Sequence, residues 1–168
     1  MRVTGLDIST HTGIANLVME RDGVIRMPYS GVIHSKKSGF DRCADMAMSM
    51  MDIVNGFKPD LVVIEGYGYS NAHTLVTLVE IGTVLRYFLW QEGIKYRDVS
   101  PNTLKKFATG KGNSPKDVVI KEVYKHWGHD VTDNNIADAI VLGYLGLALK
   151  GAVVGLPKSH LEALKAIS

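Results

Sequence analysis

The chain has 168 residues, enough for one domain with a core of its own, and a formal net charge of only +2. That balance excludes a histone-like polycation, so any nucleic-acid contact must come from basic residues gathered on one face. A single cysteine, Cys43, excludes an intramolecular disulfide and a cysteine-based metal cluster.

The opening residues are not expected to act as a signal peptide, because Asp7 interrupts them, and no apolar stretch is long enough to span a membrane; a cytoplasmic protein is expected. Residues 3–9 are a short apolar run suited to a strand, residues 10–13 a turn, and residues 14–19 a second strand. Asp22-Gly23 is a hairpin signal, and a third strand follows over 24–34, interrupted around Pro28. Helical spacing then takes over in 40–57, with Met46, Met50, Ile53 and Val54 on one side and Pro59 as the stop. Residues 61–65 are an apolar strand of the kind buried on both faces. A long helix is expected over 72–91, a strand over 94–99, and a short helix from Pro101 to about 107. A glycine-containing loop over 110–113 leads to a helix capped by Ser114, begun by Pro115 and running to about 127. Asp133 is expected to cap the last long helix, which ends near 150, and Ser159 a short helix to 167. A strand meander followed by strand–helix–strand units predicts an α/β fold, with a mixed five-stranded sheet and helices on both faces.

Three carboxylates stand where solvation does not explain them. Asp7 lies inside the first apolar strand, Glu65 ends the run Leu61-Val62-Val63-Ile64, and Asp138 lies in a helix that is apolar on nearly every side. Isolated buried carboxylates are costly, so such groups are paired, protonated or metal-bound. An oxygen-only set suits Mg2+ or Mn2+, and two such ions about 4 Å apart serve phosphodiester hydrolysis. Lys105, Lys106, Lys111 and Lys116 fall in one stretch interleaved with Gly110 and Gly112, a setting suited to phosphate contact; Lys36 and Lys37 are a weaker second group. Tyr67 and Tyr69, beside glycines directly after Glu65, are placed to stack on bases or wedge between them. His126 and His129 read as surface residues at a helix end, and the methionines at 46, 48, 50 and 51 as core or dimer packing.

Several stretches together resemble the RuvC family of crossover junction endonucleases, whose fold is ribonuclease-H-like. They are Gly5-Leu6-Asp7-Ile8-Ser9 with Thr12-Gly13, Val62-Val63-Ile64-Glu65, Ser100 through Lys106, Gly110-Lys111-Gly112 with Lys116 and Val118, and Ile136-Ala137-Asp138-Ala139. The resemblance covers residues 1–150, read as one nuclease domain, and leaves 151–168 as a C-terminal extension with a short helix. It implies a homodimer that binds four-way (Holliday) junctions and related branched DNA. Each subunit would cut one of two strands, leaving a 5′-phosphate and a 3′-hydroxyl. By it Asp7, Glu65 and Asp138 are ligands of Mg2+ or Mn2+, two ions per site, and an aromatic residue just after Glu65 contacts the branch point.

The family usually carries Asp or His three residues before the final Asp; here Asn135 stands there, and its carbonyl can still serve a hard cation. Asp133 either caps the helix or restores the missing charge. The unmatched C-terminal segment is compatible with a phage-encoded member. Three other readings compete: a ribonuclease-H-like nuclease acting on RNA or flaps, one lobe of an actin- or sugar-kinase-type phosphotransferase, and a DNA-binding module without activity.

Overall fold

A computed structural model describes residues 1–68, 72–152 and 154–167; for Ala72 and His73 it describes the backbone only. Five strands form one sheet in the order β3-β2-β1-β4-β5. They are β1 (Arg2–Asp7), β2 (His11–Met19), β3 (Ile25–His34), β4 (Leu61–Glu65) and β5 (Tyr96–Val99). β1 to β3 form the antiparallel meander, while β4 lies parallel to β1 and β5 parallel to β4. The helices are α1 (Gly39–Phe57), α2 (Ala72–Gln91), α3 (Pro101–Thr109), α4 (Lys116–Trp127), α5 (Asn134–Leu149) and α6 (Lys158–Leu161), which runs into a 3-10 turn over Glu162–Ala166.

The sheet separates two apolar cores. On one face α1 and α2 bury Met46, Met50, Ile81, Leu85 and Leu89 against Leu6, Ile14 and Ile64. On the other, α3, α4 and α5 bury Leu104, Phe107, Val123, Ile140 and Leu145 against Val3, Leu17 and Val63. Alternate residues of β1 and β4 thus serve opposite cores, which is why both strands read as unbroken apolar runs.

Four local expectations are corrected. β2 begins at His11, three residues early, because Thr12 Oγ1 bonds Ser9 O at 2.8 Å and closes the turn within residues 9–12. β3 continues through Pro28 as one strand, and the expected interruption is reduced to a bulge at that place: between the Asn16–Tyr29 and Val18–Arg26 pairs, Met27 and Pro28 of β3 together face Leu17 of β2. Ser114 does not cap α4: its hydroxyl bonds Lys111 O and Thr109 Oγ1, and extended Pro115 stands at the cap instead. β5 is shorter than expected because the Ile94 N–H turns back to Leu89 O at the end of α2.

The segment after residue 150 packs on α3, α4 and α5. Val154 and Ala163 enter that core, Trp127 Nε1 donates to Val154 O, and His160 Nδ1 lies 3.1 Å from Phe107 O. His126 and His129 are half-buried and engaged, not free on the surface as expected. The first stacks edge-on against His160, and the second lies 3.0 Å from the Tyr144 hydroxyl; burial pushes both imidazoles below their ordinary pKa. Among the described residues no helix is long and apolar enough to cross a membrane.

Candidate active site

Parallel pairing of β1 and β4 ends at Leu6 and Ile64, so the next residues, Asp7 and Glu65, emerge side by side at the carboxyl end of the sheet. The third acid comes from α5, which lies across β1 and β2. Two glycines allow the approach. A Cβ on Gly5 would stand 2.0 Å from Ala139 O, and one on Gly13, the ladder partner of Asp7, 1.9 Å from Asn135 O. With the helix seated there, Asp138 reaches the strand ends. Asp7, Glu65 and Asp138 each offer an oxygen within 4.8 Å of the other two, the one such group of three among the described residues.

The surroundings make this cluster electrostatically expensive. Asp7 is 5% and Asp138 7% exposed. Burial raises the Asp138 pKa to about 7, with repulsion from Asp7 adding to it and Lys116 and Lys105 opposing it. Burial likewise lifts Glu65 to about 10, aided by its hydrogen bond to Asp7 and by repulsion from both aspartates. Asp7 is also raised, chiefly by burial. Without a cation, burial and mutual repulsion favour a proton retained on the hydrogen-bonded Asp7–Glu65 pair. Three crowded, desolvated oxygen donors short of positive charge are what a hard divalent cation requires, so the donor set fits one.

The cluster floors a cleft of about 270 Å³, whose walls include Ser9, Tyr67, Pro101, Lys105, Lys116 and Asn135. Helical spacing puts Asn135 on the same face of α5 as Asp138. Asp133 acts as the cap: its carboxylate accepts from the N–H groups of Asn135 at 2.8 Å and Ile136 at 3.2 Å. We expect Asp133→Ala to cost about 1 kcal/mol in denaturant unfolding and to leave Mn2+ affinity little changed; a large loss of affinity would instead make Asp133 a ligand.

Of the four lysines singled out, Lys105 and Lys116 line the cleft, whereas Lys106 and the exposed Lys111 do not. Lys37 is engaged with Asp45 at 2.6 Å. Tyr67 lies on the cleft wall, its hydroxyl bonded by Arg86; Tyr69 lies outside the described residues. The Met-rich helix α1 faces inward, with Met46, Met50 and Met51 in the core and only Met48 well exposed. Sequence reasoning misses Arg86 and its partner Asp98, which lie on α2 and β5 and carry no local signal of meeting.

A family model described as Crossover junction endodeoxyribonuclease RuvC matches residues 2–145. The chain is similar to crossover junction endodeoxyribonuclease RuvC of Rickettsia typhi, 28% identical over 127 residues, covering 72% of this chain and 80% of the relative. It is also similar to the RuvC of Brachyspira hyodysenteriae, 27% identical over 92 residues, 54% of this chain; that match spans only 58% of the relative's length. Among solved structures, Thermus thermophilus RuvC in complex with a Holliday junction substrate superposes with a TM-score of 0.76 at 18% identity, over 93% of this chain and 99% of that one. This likeness establishes the shared ribonuclease-H-like fold. With the family match spanning the whole sheet and the three acids, the chain belongs to the RuvC family of crossover junction endodeoxyribonucleases.

Proposed function

We propose that this protein resolves four-way DNA junctions by metal-dependent phosphodiester hydrolysis, using the cleft at the ends of β1 and β4. The observation that carries the reading is the convergence of Asp7, Glu65 and Asp138 within 4.8 Å in a buried cleft, in a chain of this family. These three would hold divalent cations, Mg2+ or Mn2+, two per site, with the Asn135 carbonyl assisting. What such cations supply is an activated water and neutralisation of the charge on the departing oxygen. The protein's own groups do the rest. The strand ends and α5 hold the acids in register, and burial keeps bulk water from competing for them. Lys105 and Lys116 offset the repulsion between acids and phosphates. Lys106 and Lys111, on the surface nearby, would contact the DNA arms, and Tyr67 and Tyr69 the branch.

The direct test is cleavage of a labelled four-way junction against linear duplex and an RNA–DNA hybrid, with Mg2+, Mn2+ or EDTA. Paired, metal-dependent nicks in the junction are expected. Preferential cutting of the hybrid would move the protein to the ribonuclease reading. Lys116→Ala should weaken junction binding and reduce the salt slope by about 1, measured by fluorescence anisotropy across a salt series. An unchanged slope would remove Lys116 from the phosphate contacts.

Paired cutting needs two sites, and we assign the homodimer face to α2. Val76, Val79, Tyr87 and Trp90 form one exposed apolar stripe along it, and Trp90 is 73% exposed. A soluble surface rarely leaves such a stripe uncovered. Trp90→Glu should therefore sediment as a monomer and make single rather than paired nicks; a dimer that survives this change would place the interface elsewhere.

A further inference from the structure

The loop that leaves Glu65 is tied to the rest of the molecule by a charge pair lying outside the carboxylate cluster. Gly66 is held by its N–H, which donates to Val99 O at 2.7 Å. The next anchor is the Tyr67 side chain, flanked by two glycines that offer no side chain of their own. Arg86 Nη1 donates to the Tyr67 hydroxyl at 2.9 Å, and its guanidinium carbon lies 5.2 Å from the centre of the Tyr67 ring. The same guanidinium uses Nε and Nη2 to grip Asp98 Oδ1 on β5. Gly82, one helical turn before Arg86, makes room: a Cβ there would stand 2.4 Å from the Tyr67 oxygen. The Arg86 side chain is only 17% exposed, so this is a seated group. A planar fork that serves a carboxylate along one edge and an aromatic hydroxyl at its remaining corner suits arginine and does not suit lysine.

We propose that Arg86, oriented by Asp98, is a positioning residue that locks Tyr67 into the cleft wall. The aromatic ring beside Glu65 is then a fixed surface against which the DNA strand is laid. An unrestrained Tyr67, between Gly66 and Gly68, would sample many orientations, and each productive encounter would require ordering it again. The consequence for cutting rests on the junction-resolving function proposed above. The lock itself can be read without DNA.

The test places fluorotyrosine at position 67 and records its fluorine resonance in the DNA-free protein. Wild type is compared with Arg86→Ala, Arg86→Lys and Asp98→Asn, with Arg97→Ala on the exposed β5 edge as control. A lock predicts that all three variants move the resonance toward the random-coil position while Arg97→Ala does not. In single-turnover cleavage, Arg86→Ala should slow the chemical step about 10-fold, the kind of loss that misplacement produces, with junction Kd within a factor of about 3. Because Arg86 acts through Tyr67, adding Tyr67→Ala to Arg86→Ala should cost little more than Tyr67→Ala alone. Additive losses, or a steeper salt dependence in wild type than in Arg86→Ala with Tyr67 unmoved, would overturn the proposal by making Arg86 a direct phosphate contact. A resonance unchanged in both Arg86→Ala and Asp98→Asn would also overturn it. If wild type leaves the junction uncut, the functional reading fails, and the fluorine comparison still decides the lock.

Discussion

Asp7→Asn should lose junction cleavage by at least about 10³-fold in Mg2+ and yet, in EDTA, melt at a higher temperature than wild type. The first effect follows from removing a charged oxygen from a site whose acids are proposed to hold the cations. Several kcal/mol of charge stabilisation are at stake, and each ~1.4 kcal/mol is a factor of ten in rate. The second follows from the metal-free electrostatics. Asp7 is buried among Glu65 and Asp138, and its charge raises the pKa of both. An amide of the same shape removes that repulsion. A gain of ~1 kcal/mol raises the melting temperature of a domain this size by about 3 °C. Differential scanning fluorimetry in EDTA and in Mg2+ would read both states. A variant that melts lower than wild type in EDTA would show that the carboxylate is a net stabiliser of the fold, against the repulsion argument.

The same cluster gives the metal-free protein a pH dependence of definite sign. Unfolded carboxyls titrate near ~4, whereas folded Asp138 titrates at about 7 and Glu65 at about 10. Between those limits the folded state holds protons that the unfolded chain has released, so stability falls as pH rises. From about pH 6.5 to about 9.5 the melting temperature in EDTA should therefore decline, and Mg2+ should flatten the decline by standing in for the protons. His126 and His129 act in the opposite sense, because burial lowers both, but only up to about one unit above the free imidazole pKa of ~6.5, so the decline is clearest above about pH 7.5. In Asp7→Asn the slope should be shallower, because part of the repulsion that holds protons on Glu65 and Asp138 is gone.

What is legible in the chain is set by how locally its causes act. β4 is bounded by Pro59 and Gly66 and apolar throughout, so its limits and the position of Glu65 at its end can be read directly. Asp138 is conspicuous because a carboxylate in an otherwise apolar helix lacks a solvated face. The Asp133 cap follows from its place before the periodic run, and its carboxylate makes the bonds that a cap makes. Other features depend on meetings across the chain. Lys105 and Lys116 share the cleft because α3 and α4 fold back on each other, while Lys106, next in sequence to Lys105, is not among the residues that line it. Arg86 and Asp98 are brought together only by the packing of α2 beside β5. The methionine pattern of α1 is correctly helical, yet periodicity does not distinguish a face buried in its own core from one buried against a partner.

Gly13→Ala should be the most damaging change of a residue that bears no chemistry. The added methyl would sit 1.9 Å from Asn135 O, a backbone atom in the first turn of α5. No rotamer relieves that contact, so the start of the helix must lift from the sheet. Overpacking of this kind costs about 3 kcal/mol or more, or a fall of roughly 6 to 12 °C in melting temperature for a domain this size. The lift moves Asn135 and then Asp138 away from Asp7, the residue directly across the ladder from Gly13. Mn2+ affinity, measured by electron paramagnetic resonance, should therefore fall together with stability. Gly23→Ala separates the two effects. Gly23 has a φ of 83° in the hairpin and nothing within 4 Å of an added Cβ, so alanine there strains only the turn. It should cost about 1 kcal/mol and leave Mn2+ binding intact. If Gly13→Ala loses stability but binds Mn2+ as tightly as Gly23→Ala does, the acids are held by the strand ends alone, and the close seating of α5 serves packing without setting the geometry of the cluster.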